Sequence, residues 1–282
     1  MADGATDTWV RDPIPDATAR LSAAGLRNPR QEARAIWAEV TERIWGDAAM
    51  VDPEALSAFA RAIAARSGGA PRAYATGVIG FRRLDLGSDA RALIPRPETE
   101  GLVELALHHG SGGHALDLGT GSGCIALALA QEGNWATVTG VDRSPEAIAL
   151  ARENGRKTGL AVRWLEGDWC RPVQGEQFTL VVSNPPYLTT EETVGADPTV
   201  RDWEPAAALD GGRDGLDCYR ALLASTPAVL APGGVLLLEI DARRGAETAY
   251  CAREAGWTAV TITQDLFGRD RFLSARRESD DD

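Results

Sequence analysis

Asn184, Pro185, Pro186 and Tyr187 end an apolar run in the stretch "TLVVSNPPYLTT", Thr179 to Thr190. Asn184 offers a side-chain carbonyl, and a proline has a backbone carbonyl but no N–H and a fixed φ. The turn is therefore stiff, rich in acceptors and poor in donors. Its matching partner is a planar –NH2 group, one hydrogen going to Asn184 and the other to the carbonyl of Pro185, with Tyr187 stacked on the flat π-system that bears the nitrogen. Amides and exocyclic amines are poor nucleophiles because their lone pair is delocalised, so alignment toward an electrophile is what such a turn would supply. Near-attack positioning of this kind can contribute roughly 7–11 kcal/mol. The motif holds no histidine, lysine or paired carboxylate to act as general base. Deprotonation would then follow bond formation, when the nitrogen has become far more acidic.

The electrophile is suggested by a second stretch, "ALDLGTGSGCIALALA", with Gly119, Gly121 and Gly123 followed by an apolar helix. Glycines there allow a tight turn and close backbone approach to a ligand. The spacing is G-x-G-x-G, so Cys124 replaces the third glycine of the dinucleotide fingerprint, and the Gly-Lys-Ser/Thr of a nucleoside-triphosphate site is missing. Asp142 closes the next strand about 20 residues further on, where a carboxylate can accept hydrogen bonds from ribose hydroxyls. Asp117, at the base of the turn, either adds negative charge beside the ligand or caps the turn's own amides. A ribose acceptor within anionic surroundings suits a cationic nucleoside, and S-adenosylmethionine is the expected cofactor, leaving as S-adenosylhomocysteine.

Both motifs must be held by something larger. Strands are expected near His114–Leu118, Thr137–Asp142, Val162–Glu166, Thr179–Ser183, Gly234–Ile240, Trp257–Thr263 and Arg271–Ala275, with helices between most of them. This alternation predicts βαβ units around a seven-stranded, mainly parallel sheet with ligands at the carboxyl ends of its strands. The first seventy residues read as helices instead. Asn28-Pro29 opens a run with Ala33, Ile36, Trp37, Val40 and Ile44 on one stripe up to Gly46, Asp52-Pro53 opens another with Leu56, Phe59, Ala60 and Ile63, and a shorter helix is expected near Ala17–Ala24. Between the two regions, "YATGVIGFRRLDLGSDARALI" reads as a hairpin linker.

The length of 282 residues allows two domains of the usual ~100–200 residues. A net charge of −12 argues against a broad grip on phosphate backbones, which needs clustered Lys and Arg. Cys124, Cys170, Cys218 and Cys251 show no C-x-x-C pair or zinc spacing, so neither a disulfide framework nor a metal site is expected. His108, His109 and His114 read as exposed residues flanking a connector. Neither a signal peptide nor a membrane span is expected, and the reading is cytoplasmic.

The motifs in order resemble the class I S-adenosylmethionine-dependent N5-glutamine methyltransferases of the PrmC/HemK type, which modify peptide chain release factors. The resemblance covers nearly the whole chain through "YATGVIGF", "LIPRPETEGLVE", "LDLGTGSGCIALALA", "VDRSPEAIALARENG", "GDW", "VVSNPPYL", "EPAAALDGGRDGLDCYR", "APGGVLLLEI" and "DLFGRDRFL". It implies a Rossmann-like class I methyltransferase fold at residues 96–277, a hairpin linker at 74–95, a helical release-factor-docking domain at 1–73 and an acidic tail at 278–282. By position it places the cofactor at Asp117, Leu118, Gly119, Thr120, Gly121, Asp142, Trp169 and Asn184, with Trp169 and Asp168 as an adenine shelf. The substrate would meet Asn184, Pro185, Pro186 and Tyr187, and would be the glutamine of a Gly-Gly-Gln loop on a release factor. Where many relatives carry an aromatic-rich stretch, this chain has Phe81, Arg82 and Arg83. Adenine-N6 methyltransferases of nucleic acid share the Asn-Pro-Pro-Tyr turn and are the alternative reading, with a non-catalytic release-factor binder as a third; the acidic charge favours a protein substrate over DNA.

Overall fold

The computed structural model describes residues 12–41, 53–109 and 112–277, and the chain divides by its contacts into two units, the first ending at Val78. That division falls inside the stretch read as a linker. Ile44, Gly46, Asp52 and the acidic tail lie outside the described residues.

In the first unit, α1 (Ile14–Ala23), α2 (Pro29–Thr41), α3 (Pro53–Ser67) and the short α4 (Arg72–Thr76) enclose one small core. Ala33, Ile36 and Trp37 are buried and Val40 packs at the edge, with Trp37 meeting Phe59 edge to face at 5.0 Å. On α3 the buried set is Phe59, Ala62 and Ile63, while Ala60 is exposed, which corrects the expected stripe. One residue advances a helix by about 100°, so Ala60 turns away from Phe59 while positions three and four beyond it share its face. Asn28 has φ 53°, a left-handed backbone that asparagine tolerates, and its carbonyl accepts from Gln31 and Glu32 at the start of α2.

A hairpin follows, β1 (Val78–Phe81) and β2 (Leu84–Gly87), which belongs to the second unit from Ile79 on and buries Phe81, Leu84 and Leu86 in that unit's core. Its tip carries Arg82 and Arg83. Arg82 has φ 52° and is fixed by ion pairs to Glu132 at 2.6 Å and Glu104 at 2.9 Å, while its N–H donates to the Glu100 carboxylate; Arg83 is exposed.

After the hairpin come α5 (Thr99–His109), β3 (His114–Leu118), α6 (Cys124–Glu132), β4 (Thr137–Asp142), α7 (Pro145–Thr158), β5 (Arg163–Glu166), β6 (Phe178–Ser183), α8 (Thr190–Val194), α9 (Pro198–Arg201), α10 (Asp217–Ser225), β7 (Leu230–Glu239), α11 (Gly245–Glu254), β8 (Thr258–Gln264) and β9 (Asp270–Arg276). The sheet order is β5-β4-β3-β6-β7-β9-β8, parallel from β5 to β7, with β9 antiparallel to both its neighbours. This is the expected seven-stranded, mainly parallel sheet. The last parallel strand starts earlier than expected, at Leu230 and not Gly234, because a register shift against β6 absorbs the Pro-Gly-Gly run.

Central strands are buried on both faces, as a parallel sheet between helix layers must be. Leu116 and Leu118 of β3, Val181 of β6 and Leu236 and Leu238 of β7 join one core cluster, while Ala115, Leu180, Val182, Val235 and Leu237 join the other. The chain runs outward from β3 to β5 and then returns to β6 on β3's other side. The strand order therefore reverses between β3 and β6, and a crevice opens beyond their carboxyl ends. Ser183 ties the two strands there, its hydroxyl donating to the Leu118 carbonyl at 2.6 Å. Among the described residues no helix is long and apolar enough to cross a membrane.

Candidate active site

Four strand ends converge on that crevice. The register sets Leu118 level with Val141 and with Ser183, so the glycine turn after β3, Asp142 at the end of β4 and Asn184 after β6 face one space. The N–H groups of Gly119 and Thr120 both donate to the Val141 carbonyl at 2.9 Å, folding the turn back across β4. Gly121 then takes φ 54° and donates its N–H to Asp142 Oδ2 at 2.9 Å; Asp142 Oδ1 accepts from Ser144 N. Each carboxylate oxygen keeps a lone pair for an incoming hydroxyl.

Trp169 follows β5 and is in the left-handed region at φ 45°, a conformation that costs a bulky residue energy and that surrounding structure must impose. Here it sets the ring at the edge of the core beside Gly119. Asp168 and Trp169 line the same cavity as Gly119, Thr120, Gly121, Asp142 and Asn184.

Asp117 and Leu118 are not among the lining residues. Asp117 is fully buried, and its Oδ2 accepts from the Thr120 hydroxyl at 2.6 Å and from Ala126 N–H at 3.2 Å, so it ties the glycine turn to the start of α6. Its Oδ1 has no hydrogen-bond partner among the described residues. Burial, with the Asp142 charge adding to it, pushes its pKa up to about 7.

A second, smaller pocket adjoins the first. Asn184, Pro185, Pro186 and Tyr187 line it with Leu93, Arg96, Leu188, Val200, Ala208 and Leu209. Asn184 and Pro186 line both spaces, so they stand in the shared wall. Burial pushes the Tyr187 phenol up to about 12, which keeps it neutral. The stiffness of this turn comes from more than its prolines. The loop from Leu209 to Gly215 is laid against it, with Leu188 N–H donating to the Leu209 carbonyl, Gly211 N–H to the Leu188 carbonyl and Thr190 N–H to the Gly212 carbonyl. A Cβ on Gly211 would come within 2.7 Å of the Pro186 carbonyl oxygen, so only glycine permits this backbone approach.

Several residues that shape the site carried no assigned role in the sequence reading. Asn184 Nδ2 donates to Thr99 Oγ1 at 3.1 Å, and Thr99 Oγ1 donates to Glu239 Oε2 at 2.7 Å. Glu204, buried, accepts from Arg96 at 2.6 Å and from Ile94 N–H at 3.0 Å, holding the segment that walls both pockets. Asn154 bonds both backbone groups of Gly87 and the Ser122 carbonyl, joining the hairpin to the glycine turn. Glu239 did offer a signal, an acid closing the apolar run "VLLLE" as Asp142 closes its own strand.

The residues present fit S-adenosylmethionine. Asp142 keeps acceptor capacity for a ribose, Trp169 offers an aromatic face, and both signs of charge line the cavity, Asp168 and Asp210 together with Arg91, Arg96 and Arg143. Mixed charge suits a ligand that carries both an ammonium and a carboxylate.

Comparison with known proteins agrees with this geometry. Residues 75–197 match the family model described as the methyltransferase small domain. A release factor glutamine methyltransferase of Deinococcus radiodurans is 43% identical over 276 residues, covering 95% of this chain and 98% of that protein. One from Rhodospirillum rubrum is 42% identical over 269 residues, covering 92% of this chain and 82% of that protein. A solved methyltransferase from Pyrococcus furiosus, 20% identical, superposes with a TM-score of 0.55 over 71% of this chain and 91% of that one, which shows the shared fold. With such identity along nearly its whole length, the chain belongs to the release factor glutamine methyltransferase family.

Proposed function

We propose that the protein transfers a methyl group from S-adenosylmethionine to the side-chain amide nitrogen, N5, of the glutamine in the Gly-Gly-Gln loop of peptide chain release factors. The observation that carries this reading is the wall shared by the two pockets, where Asn184 and Pro186 stand between a space suited to the methyl donor and a narrower one suited to an amide side chain. When bound, S-adenosylmethionine supplies an electrophilic methyl on a sulfonium and leaves as S-adenosylhomocysteine. Asn184 Oδ1 and the Pro185 carbonyl accept the two N–H bonds of the glutamine amide, and Tyr187 supports its plane. That arrangement turns the nitrogen's lone-pair face toward the cofactor cavity, and alignment lowers the barrier. A proton leaves the nitrogen after methylation.

Asp142 holds the ribose, Trp169 and Asp168 the adenine, and Gly119, Thr120 and Gly121 bring the backbone close to the cofactor. Asp117 and Leu118 act from behind, fixing the turn. The helical region, residues 1–73, docks the body of the release factor, and residues 74–95 connect it to the catalytic domain at 96–277. A cytoplasmic location, where release factors act, goes with this reading.

Incubation with methyl-labelled cofactor and either release factor or duplex DNA tests it. Label on the release factor's glutamine is expected. Label in DNA and not in protein would overturn the proposal.

A further inference from the structure

Asn184 can act as an acceptor toward a substrate amide only if its own amide is turned one way. Nδ2 contacts Thr99 Oγ1 at 3.1 Å, and the single Thr99 hydroxyl proton is committed to Glu239 Oε2 at 2.7 Å. With that proton engaged, Thr99 offers Asn184 only lone pairs, so Asn184 must present its NH2 to Thr99 and its oxygen to the pocket. Thr99 and Glu239 are 2% and 1% exposed, so the bond between them is shielded from solvent. They come from the first turn of α5 and the last residue of β7.

We infer that Thr99 and Glu239 are positioning residues that fix the orientation of the Asn184 amide, and through it the acceptor that aligns the substrate nitrogen. This rests on the function proposed above. A buried carboxylate at the end of such a chain makes the orientation sensitive to its proton. Protonated, Glu239 can donate to Thr99, whose hydroxyl is then freed to donate to Asn184 and to draw its oxygen away from the pocket. Burial pushes Glu239 up to about 7, with the Thr99 bond opposing it. Around it Arg271 and Arg96 favour the charged form and Glu98 disfavours it, while Tyr187, Tyr219 and Cys124 also feel its charge.

The test uses the full chain with S-adenosylmethionine and intact release factor. Thr99→Val keeps the shape and removes the hydroxyl. It is expected to lower kcat roughly 10–100-fold while KM for release factor and the affinity for S-adenosylhomocysteine stay within about twofold. Thr99→Ser, which restores the hydroxyl, should recover most of the rate. For wild type, kcat should rise with pH through about 7. Glu239→Gln should lose that rise, a readout that still holds if Thr99→Val fails to fold. Wild-type kcat in Thr99→Val, a failure of serine to rescue it, or an unchanged pH profile in Glu239→Gln would each overturn the inference. If wild type itself leaves the release-factor glutamine unmethylated, the proposed function falls instead, so the two failures are told apart.

Discussion

Asn184 lines both pockets and is the side-chain acceptor of the proposed reaction. Replacing it with alanine removes one preorganised polar contact, and the expected loss in kcat is on the order of 10²-fold. Cofactor affinity should change much less, because the proposed function assigns that binding mainly to Asp142 and Trp169; calorimetry with S-adenosylhomocysteine separates the two effects. Asp142→Ala should do the reverse, weakening cofactor binding about 10–100-fold by removing a charged hydrogen-bond acceptor. The variant also leaves the Gly121 N–H without its partner. Equal loss of cofactor affinity in both variants would contradict this division of labour. At this scale the sequence was informative where a residue type is rare in its setting, such as two prolines and an asparagine ending an apolar strand. It was silent on the pairing of Thr99 with Glu239, which lie 140 positions apart and meet only in the fold. It was ambiguous on Asp117, whose burial behind the turn follows from its bonds to Thr120 and Ala126.

Among the elements, two loops convert strand ends into a site. One is the glycine turn after β3, braced by Asn154 of α7, which holds three backbone groups at once. Asn154→Ala leaves the buried Ser122 carbonyl without this partner, at about 1–3 kcal/mol for a buried group left unsatisfied, and removes two part-buried bonds to Gly87. Urea unfolding should therefore show a lower midpoint with an unchanged slope. The other is the Leu209–Gly215 loop laid on the Asn-Pro-Pro-Tyr turn. Gly211→Ala forces a Cβ against the Pro186 carbonyl and the Tyr187 Cα, both backbone atoms that cannot swing aside. A displacement of about 1 Å at a reacting centre can cost 10²-fold, so kcat should fall by about that factor. Circular dichroism and cofactor binding should remain close to wild type. The helices and strands were legible because period-3.6 and period-2 patterns and Asx-Pro or Gly punctuation mark them clearly. The loop-on-loop contact was not, because nothing in "LDGGRDG" tells which other backbone its glycines approach.

For the whole molecule, two buried carboxylates tie stability to pH. Asp117 and Glu239 are each pushed up to about 7 by burial. The folded state therefore holds more protons than the unfolded one between the ordinary carboxylate range and about 7, and their contribution lowers stability as pH rises through that window. His109 acts in the opposite sense, since its lowered pKa makes the unfolded state the better proton binder near neutrality. Carboxylates held low by arginines, Asp265 at about 2 and Glu132 among them, lose their stabilisation only in more acidic solution. Comparing wild type with Asp117→Asn between pH 5 and pH 8 isolates one group by difference, in the interval between the ordinary carboxylate range and about 7. The variant should show a weaker decline in stability with rising pH, and parallel curves would refute the assignment.

The two-unit division of the chain suggests a separate role for the helical region. Removing residues 1–73 should raise KM for intact release factor far more than for a short Gly-Gly-Gln peptide, and equal effects would contradict docking. The helices were readable in the sequence, but their purpose was not. A small apolar core says nothing about what its outer face meets, and that reading came from resemblance.

The central claim is the transfer itself, and mass spectrometry of a release factor incubated with the enzyme and S-adenosylmethionine tests it most directly. The expected result is a gain of one methyl on the side-chain nitrogen of the Gly-Gly-Gln glutamine, present with wild type and nearly absent with Asn184→Ala. An unmodified glutamine, or a methyl on another residue, would contradict it.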